Sequence, residues 1–473
     1  MRIALIYGKG LDGCGVQRGG IEMITWARKN GHECDLFYVD ERSFVRGRSH
    51  GDISGYHRMS RKDFSDCAEK IDRDYDVVIV NSYPSVKHED ATIQSFYHDF
   101  LKKLRRPVVV GMMHEIYRGT IDRIPNLLLI LNQCDVVMNF SEDTTFSREF
   151  STVFPSKKLH ERVKRFKLWT DVDELVKKSE SFGIVDKKKR LTYMGRWTTM
   201  KEPARVLNLA PLLTERDREF KTLLIGIETS IGAKQDIVDH PQSYYYKNVR
   251  GGYSHEIPEP PDPSKTPVYG PYDHHVGMRI MSESMFGASF YRLLKNKNDY
   301  GDRMEYTQIE MIALGSIPVF DADFGANNRT TNGSTYDSYD RLAVWSRSDD
   351  LESTADALVR LANDADERRT YQIAGLDFVR DEFESAIVLP AMFEEIMSAG
   401  KDADKYDDLT ALSIIFGDEN KGKTAHDLFA LGPIPLGMTE YESKTVTRFK
   451  DSTSRARIPV DVNHGNSVEN FFE

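Results

Sequence analysis

Short apolar runs recur through the first 140 residues, separated by stretches with helical spacing. The runs are "RIALIY" (2–7), "CDLFYV" (34–39), "DVVIVN" (76–81), "PVVVGMM" (107–113) and "DVVMNF" (135–140). They are continuous rather than alternating, as parallel strands buried on both faces are. Segments 19–30, 61–73, 90–105 and 123–133 supply crossover helices, so this part reads as a doubly wound α/β unit. A second unit repeats the pattern. Its strands are expected at "RLTYMG" (190–195), "TLLIGI" (222–227), "ASFYRL" (288–293) and "IPVF" (317–320), with helices over 203–213, 303–314, 351–363 and 366–382. A basic stretch, "KKLHERVKRFK" (157–167), and the polar run "DKKKR" (186–190) lead into it.

These patterns divide the chain into an α/β half at 1–185, a second at 186–400, and an extension at 401–473 where periodicity fades. Within the second half, 238–275 reads as an irregular insert, because "PEPPDP" excludes regular structure there. Two Rossmann-like halves leave a cleft between the carboxyl ends of their strands, which is where open sheets bind ligands.

Composition narrows the class. At 473 residues the chain exceeds one ordinary core. The four cysteines, Cys14, Cys34, Cys67 and Cys134, show no paired spacing that would indicate zinc or a disulfide framework. The first apolar run reads as a strand and not a signal peptide, and no run reaches the roughly 18 residues of a spanning helix. Net charge is −10, but it is unevenly distributed: residues 1–190 hold 33 basic and 28 acidic residues, the rest 31 and 46. A basic first half suits contact with a polyanion, and drift in surface composition would produce the same numbers.

Four stretches carry candidate chemistry. In "GLDGCGVQRGGIE" (10–22), Gly13, Gly15 and Val16 form a bend between strand and helix, with Glu22 one turn in. Such a bend lets backbone N–H groups and a helix N-terminus approach a diphosphate, and it reads equally as a tight turn. In "YMGRWTTMK", Arg196 and Lys201 follow a strand, where a fork and a point charge can grip two phosphates or simply be solvated. In "EYTQIEMIALGSIPVF" (305–320), Glu310 can accept hydrogen bonds from both hydroxyls of a ribose. It sits at the second Glu of the E-x7-E pattern of retaining enzymes, while Asp302 replaces the first. In "VVVGMMHEIYR", His114 and Glu115 follow a buried strand; with Glu22 they can serve as a catalytic set for acid–base work, and a lone His there reads equally as a satisfied structural residue. The first three describe a nucleotide-sugar glycosyltransferase of the two-Rossmann type, GT-B. The "DAD" at 321–323 is a weak D-x-D; no metal cluster is evident, and a divalent metal is not required for donor binding in this reading.

The opening 50 residues, with "DVVIVNSYPSVKHEDATI", "VVVGMMHE", "GRWTTMK" and "RMEYTQIEMIALGSIPVF", closely resemble the DNA alpha-glucosyltransferase family of T-even bacteriophages. The resemblance spans about 1–400 and weakens over 145–185 and 230–275. It implies a GT-B fold and transfer of glucose from UDP-glucose, with retention, to 5-hydroxymethylcytosine in double-stranded DNA. It implies a UDP-sugar co-substrate, no cofactor, a monomer, and action in the cytoplasm of the infected host. By the same resemblance the Gly-rich bend, Glu22, His114, Arg196, Lys201 and Glu310 keep their family roles, and Glu115 stands where the family has Asp. Tyr306, Thr307 and the backbone at Phe286–Gly287 would line the UDP site. The target base must flip out of the duplex to reach a closed cleft. Arg46, Arg48 and His50 of "FVRGRSH", with Lys164 and Arg165, are the candidates for holding DNA phosphates, and each is equally an ordinary surface residue. Three alternatives stay open: UDP-arabinose as donor, a GT-B enzyme acting on a glycan or small molecule, and a non-catalytic binding protein.

Overall fold

A computed structural model of the chain describes residues 1–7, 15–39, 56–59, 63–81, 99–113, 131–140, 161–195, 201–226, 268–269, 274–290, 304–401 and 405. The first sheet contains β1 (Arg2–Tyr7), β2 (Glu33–Val39), β3 (Tyr56–Met59), β4 (Val77–Asn81), β5 (Val108–Met113), β6 (Val136–Asn139) and β7 (Val163–Arg165). Its order is β3-β2-β1-β4-β5-β6-β7 and its pairs are parallel. Helix α1 (Gly15–Lys29) follows β1, and α2 (Asp63–Asp74) lies between β3 and β4. The central strands are Val- and Ile-rich and fully buried, β4 over its whole length, which is the burial that continuous apolar runs require.

Helix α3 (Val172–Ser181) leads into the second sheet, which is built from β8 (Lys188–Met194), β9 (Lys221–Ile225), β10 (Val268–Tyr269), β11 (Ser284–Ser289), β12 (Ile317–Asp321) and β13 (Val344–Ser346). Its order, β10-β9-β8-β11-β12-β13, repeats the topology of the first, again with parallel pairs. Both sheets therefore reverse strand order beside their first strand, β1 against β4 and β8 against β11, and such reversals open the ligand crevice. The helices of this half are α4 (Pro203–Arg216), α5 (His274–Glu283), α6 (Tyr306–Ala313), α7 (Ala322–Asn327), α8 (Leu351–Asn363), α9 (Ala365–Phe383) and α10 (Ser385–Ala399). Asp364 ends α8 and caps α9, its carboxylate accepting from Glu367 N at 2.8 Å.

Four strands lie outside the apolar runs. β3, β7, β10 and β13 are short and, in "YHRM" and "VKR", polar; an edge or near-edge strand needs backbone pairing more than apolar side chains. β10 also corrects the expectation that 238–275 has no regular structure, because Val268 and Tyr269 pair with β9; most of that insert lies outside the described residues. β11 starts at Ser284, four residues before the expected run. Helix α10 is unexpected because Pro390 sits inside it.

The expected join at 185/186 falls just before β8. On its early side α3 already packs against α6, while α10 returns from the second half to α1. Trp26 of α1 stacks on Phe393 of α10 with centroids 5.5 Å apart. Beyond α10, Lys401 and Lys405 approach the fully buried Asp135 carboxylate at 3.3 and 2.7 Å, at the amino end of β6. The chain thus leaves the described region at the pole of the first sheet opposite the cleft.

Candidate active site

The elements at the carboxyl ends of the two sheets meet through α1 and α6. Gly19 eases the approach: a Cβ there would clash with the Tyr306 hydroxyl and force that ring to shift. Flanking it on the same helix, Arg18 and Glu22 form an i,i+4 pair, Nε to Oε1 at 2.8 Å. The Arg18 Nη1 group contacts Glu310 Oε1 on α6, and the guanidinium carbon lies 5.4 Å from the Tyr306 ring centroid. His274, the first residue of α5, reaches the same Glu310 oxygen at 2.8 Å and Arg18 Nη1 at 3.3 Å. Thr170, in the segment that crosses between the halves, donates to Glu22 Oε1 at 3.1 Å and accepts from Arg18 Nη2 at 3.3 Å. One guanidinium thus joins a carboxylate from each half.

Burial pushes the Glu22 carboxyl above the usual carboxylate range. Arg18, and then the hydrogen bonds from Arg18 and Thr170, pull it back without cancelling the burial. Its Oε2 is buried and, among the described residues, has no hydrogen-bond partner. One oxygen is pinned and the other is buried with its hydrogen-bonding capacity unused among the described residues, which suits a carboxylate that orients or exchanges a proton with a hydroxyl group.

Lys201 lies just before α4, and its ammonium pairs with Glu305, the N-cap residue of α6. Gln308 braces that turn, its Oε1 accepting from Glu305 N at 2.7 Å. Tyr306 is buried, Thr307 is half-buried beside it, and Glu310 is one turn further along the same helix. The loops after β8 and β9 touch here. Gly195 N donates to Ile225 O at 3.0 Å, and a Cβ on Gly226 would fall 1.7 Å from Gly195 O.

The structure therefore brings Glu22, Lys201, Tyr306, Thr307 and Glu310 to facing helix ends. Gly15 and Val16 open α1, with nothing further described of the Val16 side chain. Gly13, Arg46, Arg48, His50, His114, Glu115 and Arg196 lie outside the described residues. Phe286 and Gly287 lie within β11, and their side-chain positions face packed neighbours. The Phe286 ring is fully buried, stacked on Phe220 at 5.7 Å. A Cβ on Gly287 would meet Met311 and Met281 sulfurs at 2.8 and 3.1 Å, so that glycine makes room for the helices packed on β11. Lys164 is occupied by Glu395 of α10 at 2.9 Å, whereas Arg165 is exposed on the edge strand β7. Asp321 of the "DAD" caps α7 and pairs with Arg205 at 2.7 Å, a structural use. Among the described residues no group of three or more His, Cys, Asp or Glu side chains could hold a metal ion.

Sequence reasoning missed Arg18, Thr170 and His274. Arg18 carried a usable signal, since it stands four residues before Glu22 on a helix. Thr170 and His274 carried none, because their partners are distant in the chain.

Comparison with known proteins places the fold and the family. The DNA alpha-glucosyltransferase of Enterobacteria phage T4 is 27% identical over 390 residues, covering 77% of this chain and 92% of that protein. An alpha-glucosyltransferase solved with UDP-glucose and DNA containing an abasic site superposes with a TM-score of 0.66 at 22% identity, covering 84% of this chain and 99% of that one. An alpha-glucosyltransferase solved with UDP and a 13-mer DNA containing a HMU base gives 0.66 at 23% identity, with the same coverage. That likeness establishes the GT-B arrangement of two Rossmann-like halves. The sequence pattern of the DNA alpha-glucosyltransferase family matches residues 14–366, and the chain belongs to that family.

Proposed function

We propose that this protein transfers glucose, with retention, from UDP-glucose to the hydroxymethyl group of 5-hydroxymethylcytosine in double-stranded DNA. The observation that carries the reading is the meeting of Glu22 from the first half and Glu310 from the second on one guanidinium. The phage relative's name and the UDP, UDP-glucose and DNA in the related structures support the same direction.

In this reading the second half, 186–400, holds the donor. Glu310 takes the ribose hydroxyls, and Tyr306 and Thr307 line that end of the site. Lys201, with Arg196, neutralises the diphosphate as the glycosidic bond breaks. The first half, 1–185, receives the flipped base, with Arg46, Arg48, His50 and Arg165 on the DNA phosphates. Glu22, His114 and Glu115 position the sugar and stabilise charge at its anomeric carbon. The departing diphosphate oxygen takes the acceptor's proton on the same face, so retention needs no protein nucleophile. Among the described residues no helix is long and apolar enough to cross a membrane, and action on phage DNA in the host cytoplasm is part of the proposal.

The test is incubation of hydroxymethylated duplex with UDP-glucose and, separately, UDP-arabinose, read by nucleoside mass spectrometry and by proton NMR of the anomeric coupling. An α-linked hexose adduct is expected with UDP-glucose. A pentose adduct formed faster than the hexose would replace glucose as donor. UDP release without modified nucleoside would remove DNA as acceptor.

A further inference from the structure

The two connections between the halves run side by side. Thr170 in the first is bridged in parallel to Glu384 in the second. Its N–H donates to Phe383 O at 2.9 Å, and its carbonyl accepts from Ser385 N at 2.9 Å. Val172 N binds the Glu384 carboxylate at 3.0 Å, and the preceding Trp169 donates its indole N–H to Gly19 O of α1 at 3.0 Å. The backbone of Thr170 is thus held by the returning connection, while its side chain reaches into the site.

We propose that Thr170 is a positioning residue, through which the paired connections between the halves fix the Glu22 carboxylate for sugar transfer. The hydroxyl does two things at once: it donates to Glu22 Oε1 at 3.1 Å and accepts from Arg18 Nη2 at 3.3 Å. With Arg18 Nε on the same oxygen at 2.8 Å, Oε1 is held from two sides. Oε2 is left buried, with no hydrogen-bond partner among the described residues, as the atom to meet a substrate hydroxyl. Any change in how the two connections pair moves Thr170 and therefore that oxygen. A valine has the same branched shape and leaves the backbone bridge in place, so that substitution isolates the hydroxyl. Its hydrogen bond also favours the charged carboxylate, as does Arg18, against burial and the nearby Asp171. Among the described residues, Glu310 and His274 reach Glu22 from the second half through Arg18.

This inference rests on the reading that Glu22 takes part in the transfer, and the experiment separates the two. Glu22→Gln, Thr170→Val and Thr170→Ser are compared by UDP release on hydroxymethylated duplex across pH, with UDP-glucose affinity measured by calorimetry. Glu22→Gln is expected to lose activity. Thr170→Val is expected to lower kcat about 10-fold, because a hydrogen bond to a charged group is lost, while donor affinity changes less than about 2-fold. The acid limb of its pH profile should move up by roughly half a unit or more, since the carboxylate becomes easier to protonate. Thr170→Ser should restore both. Wild-type kcat and an unmoved acid limb in Thr170→Val, with Glu22→Gln inactive, would overturn the role of Thr170 alone. A Thr170→Ser variant as impaired as the valine would also overturn it, since the effect would then belong to packing. Full activity in Glu22→Gln would overturn the reading of Glu22 itself, and Thr170's role with it.

Discussion

Replacing Arg18 by Met keeps the length and apolar stem of the side chain and removes the guanidinium between two carboxylates. Its polar contacts go together: the 2.8 Å pair with Glu22, the contact with Glu310, and the 3.3 Å bonds to Thr170 and His274. Screening by water is limited, because the Arg18, Glu22 and Glu310 side chains are only 17%, 19% and 10% exposed. Removing one partner of such a group leaves uncompensated buried charge, which costs about 3–5 kcal/mol. His274, 2.8 Å from Glu310, offsets part of this when protonated. The sign with pH follows from the carboxylates. Burial already holds Glu22 above the ordinary range, and without Arg18 it rises further. A carboxylate whose pKa is raised on folding destabilises the fold at high pH, and the penalty shrinks as pH falls from its folded value toward its unfolded one. Urea unfolding at about pH 8 and about pH 5.5 should therefore show the full deficit at the higher pH and a clearly smaller one at the lower. A deficit below about 1 kcal/mol at the higher pH, or an equal deficit at both, would refute the reasoning that Arg18 compensates buried carboxylates.

Gly226→Ala should destabilise by about 2–5 kcal/mol in denaturant unfolding, because its Cβ would meet the Gly195 carbonyl and its φ of +150° disfavours a side chain; a change below about 0.5 kcal/mol would show that the two loops separate freely. Lys201→Ala should weaken UDP binding about 10- to 100-fold by calorimetry, the loss of one charge-assisted phosphate contact, and unchanged affinity would remove Lys201 from the donor site. Arg46→Ala with Arg48→Ala should flatten the slope of log K against log salt for duplex binding by about 2, one unit for each phosphate contact; an unchanged slope would place both residues away from the DNA.

The chain's local pattern determined the scaffold. Runs such as "RIALIY" and "DVVIVN" can be buried on both faces only in parallel sheets, so the two doubly wound units and most central strands were legible without coordinates. Glu22 and Glu310 could be picked out as candidates too, because their place next to a strand end or helix start is itself local. Edge strands such as β7 and β10 were not, since their pairing depends on a neighbour elsewhere in the chain. The side-chain surroundings of Phe286 and Gly287 were not legible for the same reason. Whether a mid-strand residue faces a ligand or a packed helix depends on what lies above the sheet, and here Phe220, Met281 and Met311 lie there. Lys164 reads as a free cation until α10 folds back and presents Glu395. The ionic centre itself was decided only by tertiary structure. Arg18, Thr170, His274 and Glu310 are spread across more than half of the chain, and only the packing of α1 on α6, at a glycine with no Cβ to obstruct it, places their charges within bonding distance.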